Sequence, residues 1–292
     1  MIRVPHEPTR WDRRGWWLLR RPGPWLFVAV LVLVLFGDDI APHDPQLRNL
    51  RNRLLPLSLD HPLGTDAMGR DILSRLMAAF TVTPVAAFVT VGLSSLIGTA
   101  YGFVAAMVSR PLSSMMMRFV DGVLSLPLIA VALVASSIFG VGLYSIVTAL
   151  VLLHWADYAR VVRSALAAEM SRTYVLAAQA LGVPPLRLAM THLVPAMTGA
   201  LLVLASHSLA VTILTFAGLS FIGLGAEPGS PEFGLMVAES RDHMRSSPHL
   251  MILPGLAVFG LVLMFNRFAD TLSDRDPLAG PFRTPSSRKR RI

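Results

Sequence analysis

Residues 174–196 read YVLAAQALGVPPLRLAMTHLVPA and separate two long apolar runs of the chain. Leu, Ala and Gln favour a helix over 173–181, and Gly182 is typical of the residue that ends a helix. Pro184 and Pro185 prevent that helix from continuing, whereas Pro185 suits the first turn of another one. The stretch therefore predicts a short helix, a tight turn and a second helix that leads back into the next apolar run.

The composition around this stretch is that of a membrane protein. Of the 292 residues, 53% are hydrophobic and 15% are charged, against roughly 25% charged residues in a soluble domain. A helix needs about 20 apolar residues to cross a bilayer core of about 30 Å. Six runs of the sequence meet this need, so we expect an all-α polytopic membrane protein with six transmembrane helices.

The apolar runs also set the predicted boundaries. They are an N-terminus at 1–21, a first span at 22–41, an outer segment at 42–76, a core of five helices at 77–272 with a polar loop at 164–192, and a basic tail at 273–292. The core spans are predicted within 84–108, on both sides of a turn at 140–142, within 193–224, and over 250–268.

The distribution of basic residues predicts the orientation, because cytoplasmic loops of membrane proteins are enriched in Lys and Arg. With the N-terminus inside, 19 of the 26 basic residues fall on the inner side and seven on the outer side. Both termini are therefore expected in the cytoplasm, and the 164–192 loop is the longest cytoplasmic loop. The basic tail is read as a topology signal that meets anionic lipid, and it gives no reason to expect nucleic-acid binding.

Two residue types exclude several kinds of chemistry. The chain has no cysteine, which rules out thiol nucleophiles and Cys-ligated metals. Its single lysine, Lys289, is followed by Arg290 and lacks the glycine loop of a nucleotide-binding P-loop. We therefore expect no cofactor on this chain, and if ATP is used, another subunit binds it.

The small residues of the cytoplasmic loop favour contact with another surface. Ala177, Ala178 and Ala180 give the predicted short helix a thin face, flanked by Arg172 and Arg187. Such a helix suits a groove on a partner protein. The alternative is an interfacial helix that lies on lipid headgroups.

The same stretch resembles the cytoplasmic EAA loop of ATP-binding-cassette importer permeases. The family pattern is Glu-Ala-Ala, a glycine four residues after the second alanine, and an aliphatic residue two positions before a proline. Here Ala177, Ala178, Gly182 and 193–195 match, while Leu176 replaces the glutamate. The resemblance implies that an ATPase subunit contacts this loop, at the following residues: Leu176, Ala177, Ala178, Leu181, Gly182 and Pro195.

Further blocks resemble the C-type permease of dipeptide, oligopeptide and nickel importers, and they occur in family order. They are IAPHDP (40–45), HPLGTDAMGRDILSRL (61–76), GLSFIGLG (218–225), PEFG (231–234), LPG (253–255) and FNRFADTLSDRDP (265–277). The resemblance implies the type I importer fold and a heterodimer with a B-type permease. It also implies two ABC ATPase subunits that bind ATP and an extracytoplasmic substrate-binding protein. The expected cargo is a di- or oligopeptide, with nickel or another small solute as the alternative.

The fifth predicted span carries the candidates for pore lining. Ser208, Thr212 and Thr215 fall on one helical face, and His207 is an ionisable residue on the same span. These side chains either line a polar pore or join neighbouring helices through hydrogen bonds.

The motif HPLGTDAMGRD in the outer segment has two readings. Asp and Gly make it a turn-rich loop, or it is a surface for the binding protein or the substrate entrance. His61, Asp66, Arg70 and Asp71 resemble a ligand set, but an arginine among the acids favours ion pairing. We expect no metal on these residues.

Two other classes of function are open to a chain of this kind. A secondary transporter typically carries an acidic residue near the middle of a span, and Asp121 and Asp157 are expected near cytoplasmic ends instead. An intramembrane enzyme is less well supported, since the HExxH and GxSxG motifs do not occur in the sequence.

Overall fold

The computed structural model describes residues 32–34, 36–37, 39–188, 191 and 194–273. Within them every regular element is helical, and the one extended pairing is an isolated bridge between Thr65 and Asp71. The α-helices are α1 (Ile72–Met107), α2 (Arg110–Leu124), α3 (Leu128–Phe139), α4 (Leu143–Met170), α5 (Thr173–Ala180), α6 (Pro185–Leu188), α7 (Val194–Phe221), α8 (Phe233–Glu239) and α9 (His249–Ser273). Turns of 3-10 helix lie at Leu50–Asn52 and Arg241–His243.

Four described helices are long and apolar enough to cross a bilayer, namely α1, α4, α7 and α9. A fifth crossing is available if α2 and α3 form one broken span. Residues 32–34, 36–37 and 39–40 are helical, but most of the predicted first span at 22–41 lies outside the described residues. The N-terminus at 1–21 and the tail beyond Ser273 lie outside them too. The number of six spans therefore stays a prediction.

Helices α1 and α4 pack closely along much of their length, because α1 presents glycines where the two backbones meet. A Cβ atom on Gly98 would lie 2.2 Å from the carbonyl oxygen of Trp155, and one on Gly102 would lie 2.5 Å from that of Ala159. Small residues at a helix contact allow such an approach in membranes, where packing rather than the hydrophobic effect holds helices together.

The predicted turn at 140–142 lies between α3 and α4, and Gly140 there has a φ of 82°. The span before it differs from the expectation. Helix α3 has 12 residues, or about 18 Å at the helical rise, and it meets α2 at an angle of 81°. Pro127 explains the break, since proline has no N–H to donate and excludes helical geometry at the residue before it.

Two helices extend further than the sequence predicted, and each extension includes charged residues. Helix α1 begins at Ile72 rather than within 84–108, so Arg75 belongs to a helix and not to a loop. Helix α4 continues to Met170, which puts Asp157 midway along it rather than near its end. Because residues 164–170 of α4 fall in the predicted cytoplasmic loop, the position of Asp157 near the cytoplasmic end of its span stays a prediction. Asp121 does make an ion pair, with Arg160 Nη2 at 2.6 Å from its carboxylate oxygen.

The connections gather at two ends of the helix bundle. At one end, which we call the outer end, the 41–71 segment meets the 222–248 segment, and Arg70 donates to the carbonyl oxygen of Gly229. At the other end, α5 and α6 connect α4 to α7. The two candidate sites of the chain lie at these opposite ends.

Candidate functional site

Helix α5 is anchored to the bundle through one fully buried side chain. Val175 packs in a cluster with Val162 and Leu166 of α4 and with Met197 of α7. The neighbouring residue, Leu176, is 52% exposed. Helix α5 therefore shares a buried cluster with two spanning helices on one side and leaves the other side open.

The turn after α5 has the hydrogen bonds of a Schellman motif. Gly182 has a φ of 79°, its N–H donates to the carbonyl oxygen of Gln179 at 2.9 Å, and the N–H of Val183 donates to that of Ala178 at 3.1 Å. A residue in this left-handed conformation is usually glycine, because a Cβ atom strains it. The structure confirms the predicted helix and the role of Gly182 in ending it.

The remaining loop residues divide between exposed and packed positions. Ala177 is exposed and Leu181 is 85% exposed, whereas Ala178 is half-buried against the Val175 cluster. Pro195 is exposed at the second position of α7. Leu193, which belongs to the same motif, lies outside the described residues.

Glu169, which the sequence pattern did not single out, ties the end of α4 to α5 through contacts with two side chains. Arg172 Nε lies 2.9 Å from a carboxylate oxygen of Glu169, and the Tyr174 hydroxyl donates a hydrogen bond to the same carboxylate. That hydrogen bond is the main reason that the pKa of Tyr174 is raised. The spacing of three residues between Glu169 and Arg172 was a readable signal for the ion pair.

The candidate pore residues do not share one environment. Thr212 is fully buried and His207 is exposed on the surface of the chain, with Ser208 and Thr215 half-buried between these extremes. The Thr215 hydroxyl donates to the carbonyl oxygen of Val211 in its own helix at 2.8 Å. Of these four residues His207 is therefore the exposed one, and Ser208 and Thr215 are each partly covered.

A buried ion network joins the two segments of the outer end. Arg75 Nη1 lies 2.5 Å from a carboxylate oxygen of Asp66 and 2.8 Å from one of Glu239. Arg70 contacts the same two acids at 2.6 Å and 2.7 Å. The side chains of Arg70 and Arg75 are only 3% and 2% exposed. The expected ion pairing of Asp66 with Arg70 is thus confirmed, while Arg75 and Glu239 were not predicted.

The charges of this network set the protonation of Asp66. Burial by itself raises the pKa of its carboxyl, but the N–H of Arg70 and the charges of Arg75 and Arg70 together bring the pKa below its usual range. Beside the network is a cavity of about 440 Å³, lined in part by Arg53, Met236 and His243. This arrangement holds the HPLGTDAMGRD motif against α8, at the predicted outer side of the bundle.

The comparison with protein families decides the identity. The family model described as "binding-protein-dependent transport system inner membrane component" matches residues 98–275, more than half of the chain. The chain belongs to this family.

Individual relatives of this importer permease span most of its length. The nickel transport system permease protein NikC of Escherichia coli K12 is 36% identical over 86% of this chain and 92% of its own. The dipeptide transport system permease protein DppC of Haemophilus influenzae is 32% identical over 85% and 87%. The glutathione transport system permease protein GsiD of Pectobacterium atrosepticum is 33% identical over 85% and 83%.

A solved structure shares the fold of the importer permease. An inward-facing form of the MetNI methionine ABC transporter gives a TM-score of 0.53 at 18% identity, covering 65% of this chain and 92% of that chain. The predicted all-α fold of the type I ABC importers is therefore confirmed. The chain is a multi-pass membrane protein and a permease subunit of an ABC importer, and its relatives are permease subunits rather than enzymes.

Proposed function

We propose that this permease pairs with a B-type permease to form half of a pore for di- or oligopeptides, and that α5 is its coupling helix. Two ABC ATPase subunits bind and hydrolyse ATP, an extracytoplasmic binding protein delivers the cargo, and both termini of this chain lie in the cytoplasm. No cofactor binds to this chain in this proposal. The ATPase contacts are Leu176, Ala177, Ala178, Leu181, Gly182 and Pro195.

The observation that carries this proposal is the double anchoring of α5. Because Val175 lies in one buried cluster with residues of both α4 and α7, a displacement of α5 disturbs the packing of two spanning helices at once. The exposed Leu176 and Leu181 give a partner an apolar surface on the open side. An ATPase that closes on ATP then moves α5, and rigid-body movement of the spans changes the side from which the pore is open.

The position of Leu176 indicates how this contact differs from the family pattern. The usual glutamate offers the ATPase a charge, whereas the exposed leucine offers only apolar area. We infer that the partner surface facing Leu176 is apolar as well, since an unpaired cation there would be costly to bury. The ion pair of Arg172 with Glu169 holds the start of α5 without that charge.

The proposed pore half uses α7. In the isolated chain α7 and α9 are less buried than α1 and α4, so their open faces are available to a second permease or to lipid. His207 is exposed on α7 and is the better pore candidate, while the buried Thr212 suits helix packing and the half-buried Ser208 and Thr215 suit either role.

Relatives of this chain transport different solutes, and their names include both peptide and nickel systems. Two of the three named permeases belong to dipeptide and glutathione systems, and glutathione is itself a peptide. The third belongs to a nickel system. Nickel or another small solute is therefore the alternative cargo for the same machinery.

A secondary transporter is the alternative of a different class, and Asp157 is the observation that favours it. This acid is exposed midway along α4, where an ion-coupling carboxylate is expected. The family match over residues 98–275 favours the ATP-driven reading.

The test is uptake by proteoliposomes that contain the permease with the subunits that copurify from its native membrane. We expect uptake of a labelled dipeptide to require enclosed ATP and the binding protein, and to persist when a protonophore dissipates the proton gradient. Labelled Ni²⁺ in a parallel series distinguishes the two cargoes. Uptake that is independent of ATP and abolished by the protonophore would overturn the proposal.

A further inference from the structure

Three metal-ligating side chains from separate parts of the outer segment meet at the start of α1. They are His43, His61 and Asp71, and one ligand atom of each lies within 4.8 Å of those of the other two. Nδ1 of His61 is 2.9 Å from Oδ1 of Asp71, and Nδ1 of His43 is 4.0 Å from its Oδ2. The two imidazole rings lie with their centroids 4.9 Å apart. The three residues, which span 28 positions of the sequence from His43 to Asp71, therefore place their ligand atoms around one point.

The carboxylate at this point lacks a permanent positive partner. Asp71 is 3% exposed, and it accepts hydrogen bonds from the N–H and the hydroxyl of Ser74 at 2.8 Å and 2.7 Å. Among the described residues, no arginine or lysine nitrogen comes within 4 Å of it. The neighbouring Asp66, in contrast, pairs with both Arg70 and Arg75.

The two acids of the motif, Asp66 and Asp71, differ in whether a positive charge lies beside them. A buried carboxylate is costly unless a cation or several hydrogen bonds compensate its charge. Asp66 has two fixed cations, whereas Asp71 has one hydroxyl donor, one backbone N–H donor and two imidazoles beside it. A bound cation would supply the missing charge at Asp71.

We propose that His43, His61 and Asp71 bind one divalent first-row transition ion, of the class of Ni²⁺ or Zn²⁺. Two imidazoles and one carboxylate are a donor set for such ions, and they leave further coordination positions to water. Neither Ca²⁺ nor Mg²⁺ fits, because these ions take oxygen ligands. The expectation of no metal rested on Arg70, which in the structure belongs to the Asp66 network instead.

The geometry needs only a small movement to close on an ion. Metal–ligand distances of about 2.0–2.2 Å put neighbouring ligand atoms about 3 Å apart, as His61 and Asp71 already are. On the same reasoning His43 must approach the carboxylate by about an ångström, and it must also come within about 3 Å of the ligand atom of His61. Its side chain is 43% exposed, so space is available for this shift.

The ion would join the start of the 41–71 segment, at His43, to the N-terminus of α1, at Asp71. At present the backbone N–H of His43 donates to the Ser74 hydroxyl at 3.1 Å, which holds the two segments in register. The site does not depend on the transported cargo. Its failure would therefore leave the proposed transport function untouched.

The experiment is calorimetric titration of the full-length chain, purified in detergent without a polyhistidine tag, with Ni²⁺ and separately with Zn²⁺. We expect one saturable site. We expect His43→Gln to weaken binding by at least about tenfold, on the scale seen when the surroundings of a metal site are altered. The matched control is His243→Gln, a half-buried histidine of the outer end that is not part of the cluster. It should bind like the wild type.

A second variant separates binding from folding. Asp71→Asn keeps an oxygen that accepts from the Ser74 N–H, so it preserves the cap of α1. We expect it to melt near the wild type in EDTA, and we expect Ni²⁺ to raise Tm in the wild type but not in either cluster variant. The proposal would be overturned if the wild-type chain showed no saturable site, or if His43→Gln bound the ion with unchanged affinity. His61 and Asp71 would then form a hydrogen bond and no metal site.

Discussion

Replacing Arg75 by methionine should lower the free energy of unfolding by about 3–5 kcal/mol, the usual cost of removing one partner from a buried ion pair. Methionine keeps most of the volume of the side chain, so the loss of charge dominates. Asp66 and Glu239 would each lose a cation within 2.8 Å. Arg70 remains, but it cannot compensate both acids. Denaturation of the purified chain in mixed micelles measures the change.

The matched control for this prediction is Arg160→Met, which removes an arginine from an exposed ion pair. The side chains of Arg160 and Asp121 are 53% and 62% exposed. Exposed pairs contribute less than about 1 kcal/mol, because water screens and solvates both charges. If the two variants unfold at the same denaturant concentration, the outer network does not stabilise the fold.

Replacing Gly182 by valine should reduce ATP-driven uptake strongly while leaving membrane insertion intact. A Cβ atom at Gly182 meets nothing within 4 Å, so the effect comes only from its φ of 79°. A branched residue in that conformation costs about 1–3 kcal/mol. If the loop must keep its shape to bind the ATPase, that strain weakens binding by about tenfold to a hundredfold.

Two measurements check this second prediction. Uptake is compared with the amount of chain in the membrane fraction and with the amount of ATPase that copurifies. The control is Gly122→Val, where a Cβ atom also meets nothing within 4 Å but the residue lies inside α2 without a positive φ. Normal uptake by Gly182→Val would show that the Schellman turn has no part in coupling.

The sequence predicted those elements that depend on neighbouring residues. The helix over 173–181 and its end at Gly182 follow from local propensity and turn chemistry, and the structure has both. The apolar runs within 193–224 and over 250–268 correspond to α7 and α9. Each of these signals is contained in a window of about 20 residues, and this is why it can be read without a structure.

Elements that depend on distant contacts were missed. Arg75 meets Glu239 across 164 positions of the sequence, and nothing local to either residue indicates the other. The start of α1 at Ile72 was hidden by the charges of Arg70, Asp71 and Arg75, which read as a polar loop until their partners are known. His61 and Asp71 were singled out together in the sequence, but His43 was not, because 28 positions separate it from Asp71.

The broken span is a different case, because its signal was present in the sequence. Pro127 lies inside an apolar region that was expected to cross the membrane in one piece. A proline that starts a new helix after a non-helical residue separates α2 from α3 at 81°. That prediction followed hydropathy alone, whereas the restriction that a proline places on the preceding residue predicts the break.

The most direct test of the coupling proposal uses the absence of cysteine from the chain, which makes every introduced thiol unique. Leu181→Cys and Leu59→Cys put thiols at positions that are 85% and 102% exposed at opposite ends of the bundle. With a membrane-impermeant maleimide on intact cells, we expect Leu59→Cys to react. Leu181→Cys should react only after permeabilisation, and the ATPase subunits should protect it. Labelling of Leu181→Cys in intact cells would contradict the cytoplasmic position of α5, and with it the coupling mechanism.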